Sequence, residues 1–115
     1  CSENLHVYSG NDDQIIPILS LGGLGVISVL SNVAPKYTHE MVINYLNGKI
    51  IEAQDMQLDA IYLIKALFSE VNPIPVKAAL NMLGYNAGIP RLPLIEMSEK
   101  GKEKLEKELK KFELL

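Results

Sequence analysis

Tryptophan is absent from this 115-residue chain, and phenylalanine and histidine occur twice each. With so few rings, the core must be built from aliphatic side chains. Two histidines cannot by themselves supply the three or four ligands of a zinc site. His6 and His39 lie far apart in sequence, and neither has a second ligand at productive spacing. The single cysteine, Cys1, excludes an internal disulfide, which makes a reducing cytoplasm the expected compartment. No motif around it would activate a thiolate. Positive charge is in deficit: 11 lysines and arginines face 14 aspartates and glutamates, for a net charge of −3, so the basic footprint of a nucleic-acid binder is missing. No basic segment leads into an apolar run at the start, so no secretory signal is read. The uncharged run from Ile15 to Val33 is long enough to be weighed as a membrane span. Its glycines, Pro17 and Asn32 punctuate strands and turns instead.

What the chain has in abundance is aliphatic surface. Hydrophobic residues make up 48% of it and the mean hydropathy is +0.12, high for a small domain. Such an excess implies apolar surface covered by something outside these residues. The length fits one domain.

The organising stretch runs from Leu5 to Val33. Leu5 to Tyr8 reads as a short buried strand, and Ser9-Gly10-Asn11-Asp12-Asp13 breaks it with turn residues. Gln14 to Leu21 has the length of two helical turns, with Asp12 or Asp13 as the expected N-cap and Gly22 as the expected left-handed stop. Val26 to Leu30 reads as a second buried strand. Two strands joined through a helix lie parallel. Their near-continuous apolar runs predict that both faces are covered.

Helices follow. One is expected over Tyr37 to Leu46, with Thr38 as a possible cap and Asn47-Gly48 as the stop. The longest is expected over about Ile50 to Phe68, where Ala53, Met56, Ala60, Leu63 and Leu67 repeat at three and four. Ile61, Ile64 and Phe68 make a neighbouring stripe, so this helix is buried on a wide arc. Asn72-Pro73-Ile74-Pro75 breaks it. A short helix over Val76 to Leu83, closed by Gly84, and an extended loop over Tyr85 to Ile95 come next. Ser98 then caps a last helix on which Leu105, Leu109 and Phe112 share a face. Glu103 with Lys107, and Glu106 with Lys110, are spaced for pairing along its solvated side.

Ligands gather where parallel strands end, because loops and helix N-termini converge there. That singles out Ser9, Gly10, Asn11 and Asp12 after the first strand and Ser31 and Asn32 after the second, although an ordinary tight turn is the simpler reading of an isolated Ser-Gly-Asn-Asp. Gly22-Gly23-Leu24-Gly25 precedes a strand rather than opening a helix and lacks the Lys-Ser/Thr tail, so it is no phosphate loop. No serine sits in a nucleophile elbow. Lys36, Lys49, Lys65 and Lys77 fall on a loop or on helices, away from the apolar strand where a Schiff-base amine would be desolvated. Pattern alone gives a ligand-lining strand pair without a catalytic group, a metal site or a cofactor.

Tyr8-Ser9-Gly10-Asn11-Asp12-Asp13, then Leu21-Gly22-Gly23-Leu24-Gly25-Val26-Ile27-Ser28-Val29 with Asn32-Val33, closely resemble the C-terminal portion of bacterial dihydrodipicolinate synthases. Asn72-Pro73-Ile74-Pro75-Val76-Lys77 and Arg91-Leu92-Pro93 match the same family farther on, so the likeness covers essentially the whole chain. The resemblance implies an α/β fold: the C-terminal part of a (β/α)8 TIM barrel, residues 1–47 with the last two parallel strands and their helices, and an α-helical C-terminal domain over 48–115. It implies a cytoplasmic lyase of lysine and diaminopimelate biosynthesis that condenses pyruvate with aspartate semialdehyde. Pyruvate is held as a Schiff base on a lysine of the sixth strand, in a homotetramer built from tight dimers. On that pattern Ile27 matches the isoleucine beside bound pyruvate and Gly10 the glycine that keeps the pocket floor open. The Schiff-base lysine, the tyrosine-centred proton relay and the substrate arginine have no counterpart here, so the chain is expected to be inactive without the remainder of the barrel. N-acetylneuraminate lyase, which shares fold and imine chemistry, and a non-catalytic helical interaction module are the alternatives.

Overall fold

A computed structural model describes residues 5–115; Cys1 lies outside the described residues. The described elements are strand β1 (Tyr8–Ser9), a 3-10 turn (Asp12–Gln14), helix α1 (Ile15–Ser20), strand β2 (Gly25–Val26), a 3-10 turn (Leu30–Asn32), then α2 (Pro35–Leu46), α3 (Ile50–Leu67), α4 (Ile74–Met82) and α5 (Glu99–Lys111). They fall into two compact units, Cys1–Asp59 and Ala60–Leu115, with the division inside α3.

In the first unit β1 and β2 pair in parallel, Tyr8 opposite Gly25 and Ser9 opposite Val26. The Leu24 amide donates to the Val7 carbonyl at 2.9 Å and the Ile27 amide to Ser9 at 2.8 Å, which carries the ladder one bond past each end. The expected second strand over Val26 to Leu30 is therefore shorter than its apolar run. Leu30 has already entered the 3-10 turn. The expected cover on both strand faces is also corrected. Ser9 and Gly25 are buried, but Tyr8 is 51% and Ile27 74% exposed. Only the face under α1 is covered, because the ladder has two strands and no second layer among the described residues.

Ile15, Ile16 and Leu19 of α1 are buried, together with Leu30, Val33 and Met41, and α1 packs on both strands and on α2. The Gly22 amide donates to Leu19 at 3.0 Å and the Gly23 amide to Ile18 at 2.9 Å. This paired helix stop needs a left-handed residue, and Gly22 supplies it at φ +90°. Gly23 is required for space, since a Cβ there would sit 2.6 Å from Ile18 Cγ2. The same paired bonds end α2 at Gly48 and α4 at Gly84.

Helix α2 begins at Pro35, two residues before the expected start. A proline in the first turn gives up no intrahelical bond and has its φ already set. Thr38 is therefore inside the helix and caps nothing; its hydroxyl donates back to the Ala34 carbonyl at 3.0 Å. Helix α4 likewise takes in Ile74 and Pro75 ahead of Val76. On α3, Ala53, Ala60, Leu63, Ile64 and Leu67 are buried, Met56 and Ile61 are half-buried, and Phe68 lies past the helix end, partly exposed. No described helix is long and apolar enough to cross a membrane.

In the second unit α4 packs against α5, and Ile74, Val76, Ala79, Met97, Leu105 and Leu109 are buried. Ser98 caps α5 as expected, its Oγ accepting from the Gly101 amide at 3.1 Å. The Ser98 hydroxyl in turn donates to Glu70. Lys110 pairs with Glu106 at 2.6 Å. Glu103 and Lys107 form no ion pair among the described residues; Lys102 with Glu99 and Lys111 with Glu108, one turn apart, are the other close pairs on this helix.

Candidate functional site

The two parallel strands end together. One step beyond the Ser9–Val26 rung stand Gly10 and Ile27, and side chains alternate along a strand, so this pair shares the face of Tyr8 and Gly25. That face is the open one. Apart from Gly10 and its two chain neighbours, no described atom lies within 4 Å of the place a Cβ on Gly10 would occupy. The two residues singled out for a pocket are thus neighbours across the ladder, with Ile27 presenting its side chain to the open side.

The turn after β1 is held by its own polar groups. Ser9 Oγ donates to the Asn11 carbonyl at 2.7 Å and accepts from the Asn11 amide at 3.2 Å. Neither Asp12 nor Asp13 caps the helix that follows, contrary to expectation. Asp12 instead turns its carboxylate to the other strand. Oδ2 accepts from the Val29 amide at 2.9 Å and the Leu30 amide at 3.0 Å, while Oδ1 has no protein partner. With Asp12 only 1% exposed, this is a buried side chain joining the turn after β1 to the turn after β2. These bonds also explain where β2 stops: two amides that would have continued extended chain are drawn into a 3-10 turn.

Ser31 and Asn32, singled out beside Asp12, serve the same turn locally. The Ser31 amide donates to Ser28 Oγ at 2.8 Å and its hydroxyl to the Ser28 carbonyl at 3.0 Å; Asn32 Nδ2 donates to Val29 O at 3.0 Å.

Gln57 of α3 escaped the sequence reading. It is 6% exposed; its Nε2 donates to the Asp12 carbonyl at 2.9 Å and its Oε1 accepts from the Ile16 amide at 3.2 Å. The available signal was its position, four residues after Ala53 and three before Ala60, a polar amide on an otherwise apolar stripe.

A hollow of about 280 Å3 beside the strands is lined by Tyr8, Gly25, Ser28, Thr38, His39 and Val42. His39 is exposed on α2, as expected, and His6 is exposed ahead of β1. A second hollow, about 230 Å3, lies within the second unit between α4 and the start of α5, where Lys77 and Lys102 flank Ile74 and Met97. The hydrogen bond that Lys102 Nζ donates to Glu99 Oε1 at 2.9 Å holds the ammonium above its usual pKa. Lys36, Lys49 and Lys65 are exposed. No group of three potential metal ligands is found among the described residues.

The profile of the Dihydrodipicolinate synthetase family matches residues 1–112. The chain belongs to that family. A 4-hydroxy-tetrahydrodipicolinate synthase from Caldicellulosiruptor bescii is 60% identical over 109 residues, which is 95% of this chain and 37% of the relative. The Acetivibrio thermocellus synthase is 52% identical over 115 residues, 100% of this chain and 39% of its own length. This member of the family thus spans a little under two-fifths of the curated relatives it matches.

Solved structures agree. The dihydrodipicolinate synthase of Thermotoga maritima superposes with a TM-score of 0.93 at 48% identity, over 96% of this chain and 37% of its own. The Cyanidioschyzon merolae enzyme, solved with lysine bound, gives 0.94 at 36% identity over 99% and 39%. The architecture is the C-terminal part of a (β/α)8 barrel, with two parallel strands and their helices followed by α-helices.

Proposed function

We propose that this chain is the C-terminal part of a lyase that condenses pyruvate with aspartate semialdehyde on the route to lysine and diaminopimelate. Gly10 and Ile27 form a stretch of its pyruvate-pocket wall. In this reading residues 1–47 close the barrel and 48–115 are the C-terminal helical domain. The lysine that holds pyruvate as a Schiff base, the proton relay and the arginine for the second substrate come from the rest of the parent. The parent is a cytoplasmic homotetramer assembled from tight dimers. Chemistry belongs to those other groups, and shape belongs to these. Ile27 shields the imine from water, which strengthens every charge interaction around it. Gly10 leaves room for the substrate's small carboxylate end.

The observation that carries the reading is the placement of Gly10 beside Ile27 on the open face at the strand ends, in a chain matched to the family along nearly all its length. The test is an assay of the intact parent and of the 115-residue chain with both substrates. Activity is expected of the first alone. Turnover by the chain unaided, or an intact parent inert toward pyruvate, would overturn it.

A further inference from the structure

Resting on the lyase reading, we infer that Gln57, acting through Asp12, is a positioning residue for the pyruvate pocket. The path is short and buried. The Gln57 amide bonds the segment that leaves β1 through both its nitrogen and its oxygen: Nε2 donates to Asp12 O at 2.9 Å and Oε1 accepts from Ile16 N at 3.2 Å. The Asp12 carboxylate then fixes Val29 and Leu30 at 2.9 and 3.0 Å. Ile27 is therefore bracketed, its own amide tied to Ser9 at 2.8 Å on one side and the chain two residues on tied to Asp12 on the other.

Gly10 and Ile27 sit on opposite strands, and a two-rung ladder is a weak guide to their separation. Asp12 spans that gap, and Gln57 sets the position of Asp12. A helix that contributes nothing to the sheet thereby determines where the pocket wall stands. Leucine at position 57 would preserve volume and lose both bonds, leaving a buried carbonyl and a buried amide unpaired. Displacement of the turn would then move both wall residues together, and the loss would fall on pyruvate binding rather than on the reacting groups.

The test is steady-state kinetics of the intact parent enzyme carrying Gln57→Leu, with pyruvate varied at saturating aspartate semialdehyde. The KM for pyruvate should rise roughly five- to tenfold while kcat stays within about twofold. Leu63→Ala, which opens a cavity elsewhere on α3, should lower the melting temperature and leave KM unchanged. If Gln57→Leu does not fold, Gln57→Asn replaces it; one methylene short of the turn but with the same donor and acceptor, it should raise KM by about twofold or more. An active wild type whose KM is unmoved by the variant, or a Leu63→Ala effect of equal size, overturns the role of Gln57 alone. A wild type inert toward pyruvate overturns the lyase reading first.

Discussion

Replacing Asp12 with alanine tests whether a carboxylate, rather than strand pairing, ends β2. The substitution removes the acceptor of two backbone amides at 2.9 and 3.0 Å, in a residue only 1% exposed. A hydrogen bond to a charged group contributes roughly 1.5–3 kcal/mol, so two give about 3–6 kcal/mol gross. Against this stands the cost of keeping the anion dry with Oδ1 unpaired, itself several kcal/mol, which the mutation relieves. A local loss of about 2 kcal/mol remains, corresponding to roughly thirtyfold easier opening of the turn. Hydrogen exchange on the intact parent reads this directly, because opening at a given amide sets its exchange rate. Peptides covering Val29 to Asn32 should exchange roughly thirtyfold faster in Asp12→Ala. Peptides from α5 should be unchanged. Asp12→Asn, which keeps an acceptor but brings a donor into the unpaired position, should lie between the two. Unaltered protection at Val29 and Leu30 in the alanine variant would refute the argument.

Two glycines should separate shape from function. Gly23→Ala places a methyl 2.6 Å from Ile18 Cγ2 and 2.8 Å from Ile18 O, so it should destabilise the parent by about 2–3 kcal/mol in denaturant melts. Gly10→Ala meets nothing within 4 Å and should leave the melt unchanged while raising the KM for pyruvate; an unchanged KM would count against the pocket assignment. Tyr37 donates to the Met56 carbonyl at 2.9 Å, and burial, reinforced by the negative charge of Asp59, pushes its phenol up to about 12. The raised value favours the neutral folded form, so its stabilisation is complete below pH ~10 and is lost as pH climbs from about 10 through about 12. A melting series at rising pH should show a steeper alkaline loss in the wild type than in Tyr37→Phe, and equal slopes would contradict it. Ser98→Ala removes the α5 cap and should cost about 1 kcal/mol, seen as earlier fraying of the first α5 turn in hydrogen exchange.

Where local chemistry decides, the sequence was a sound guide. Gly22, Gly48 and Gly84 stop helices where turn chemistry places them, Ser98 caps α5, and the parallel pairing follows from a helix-length crossover. The misreadings share a different cause. Val26 to Leu30 is apolar enough for a strand, and only a carboxylate 17 positions upstream of Val29 diverts it. Pro75 reads as a breaker, and the expected start of α2 falls after Pro35, although each proline sits in the first turn of a helix, where proline is at home. The exposed face of Tyr8 and Ile27 could not be told from a buried one, since an apolar run says that a face is meant to be covered and not which atoms cover it. Gln57 was hidden because its partners, Asp12 and Ile16, are more than 40 residues away in sequence. At the candidate site, motif resemblance singled out Gly10 and Ile27, which stand at the paired strand ends; the bonds behind them needed coordinates.

Two rungs are too few for β1 and β2 to choose their own phase. That task falls to the connection, in which the Gly22-Gly23 stop meters out the distance from the end of α1 to Leu24. The linker works as a ruler. Insert one residue after Gly23 and, because strand side chains alternate with a period of two, Val26 rather than Ile27 would come to stand opposite Gly10. A single added amino acid, remote from both residues, would exchange one branched side chain for a smaller one across from Gly10.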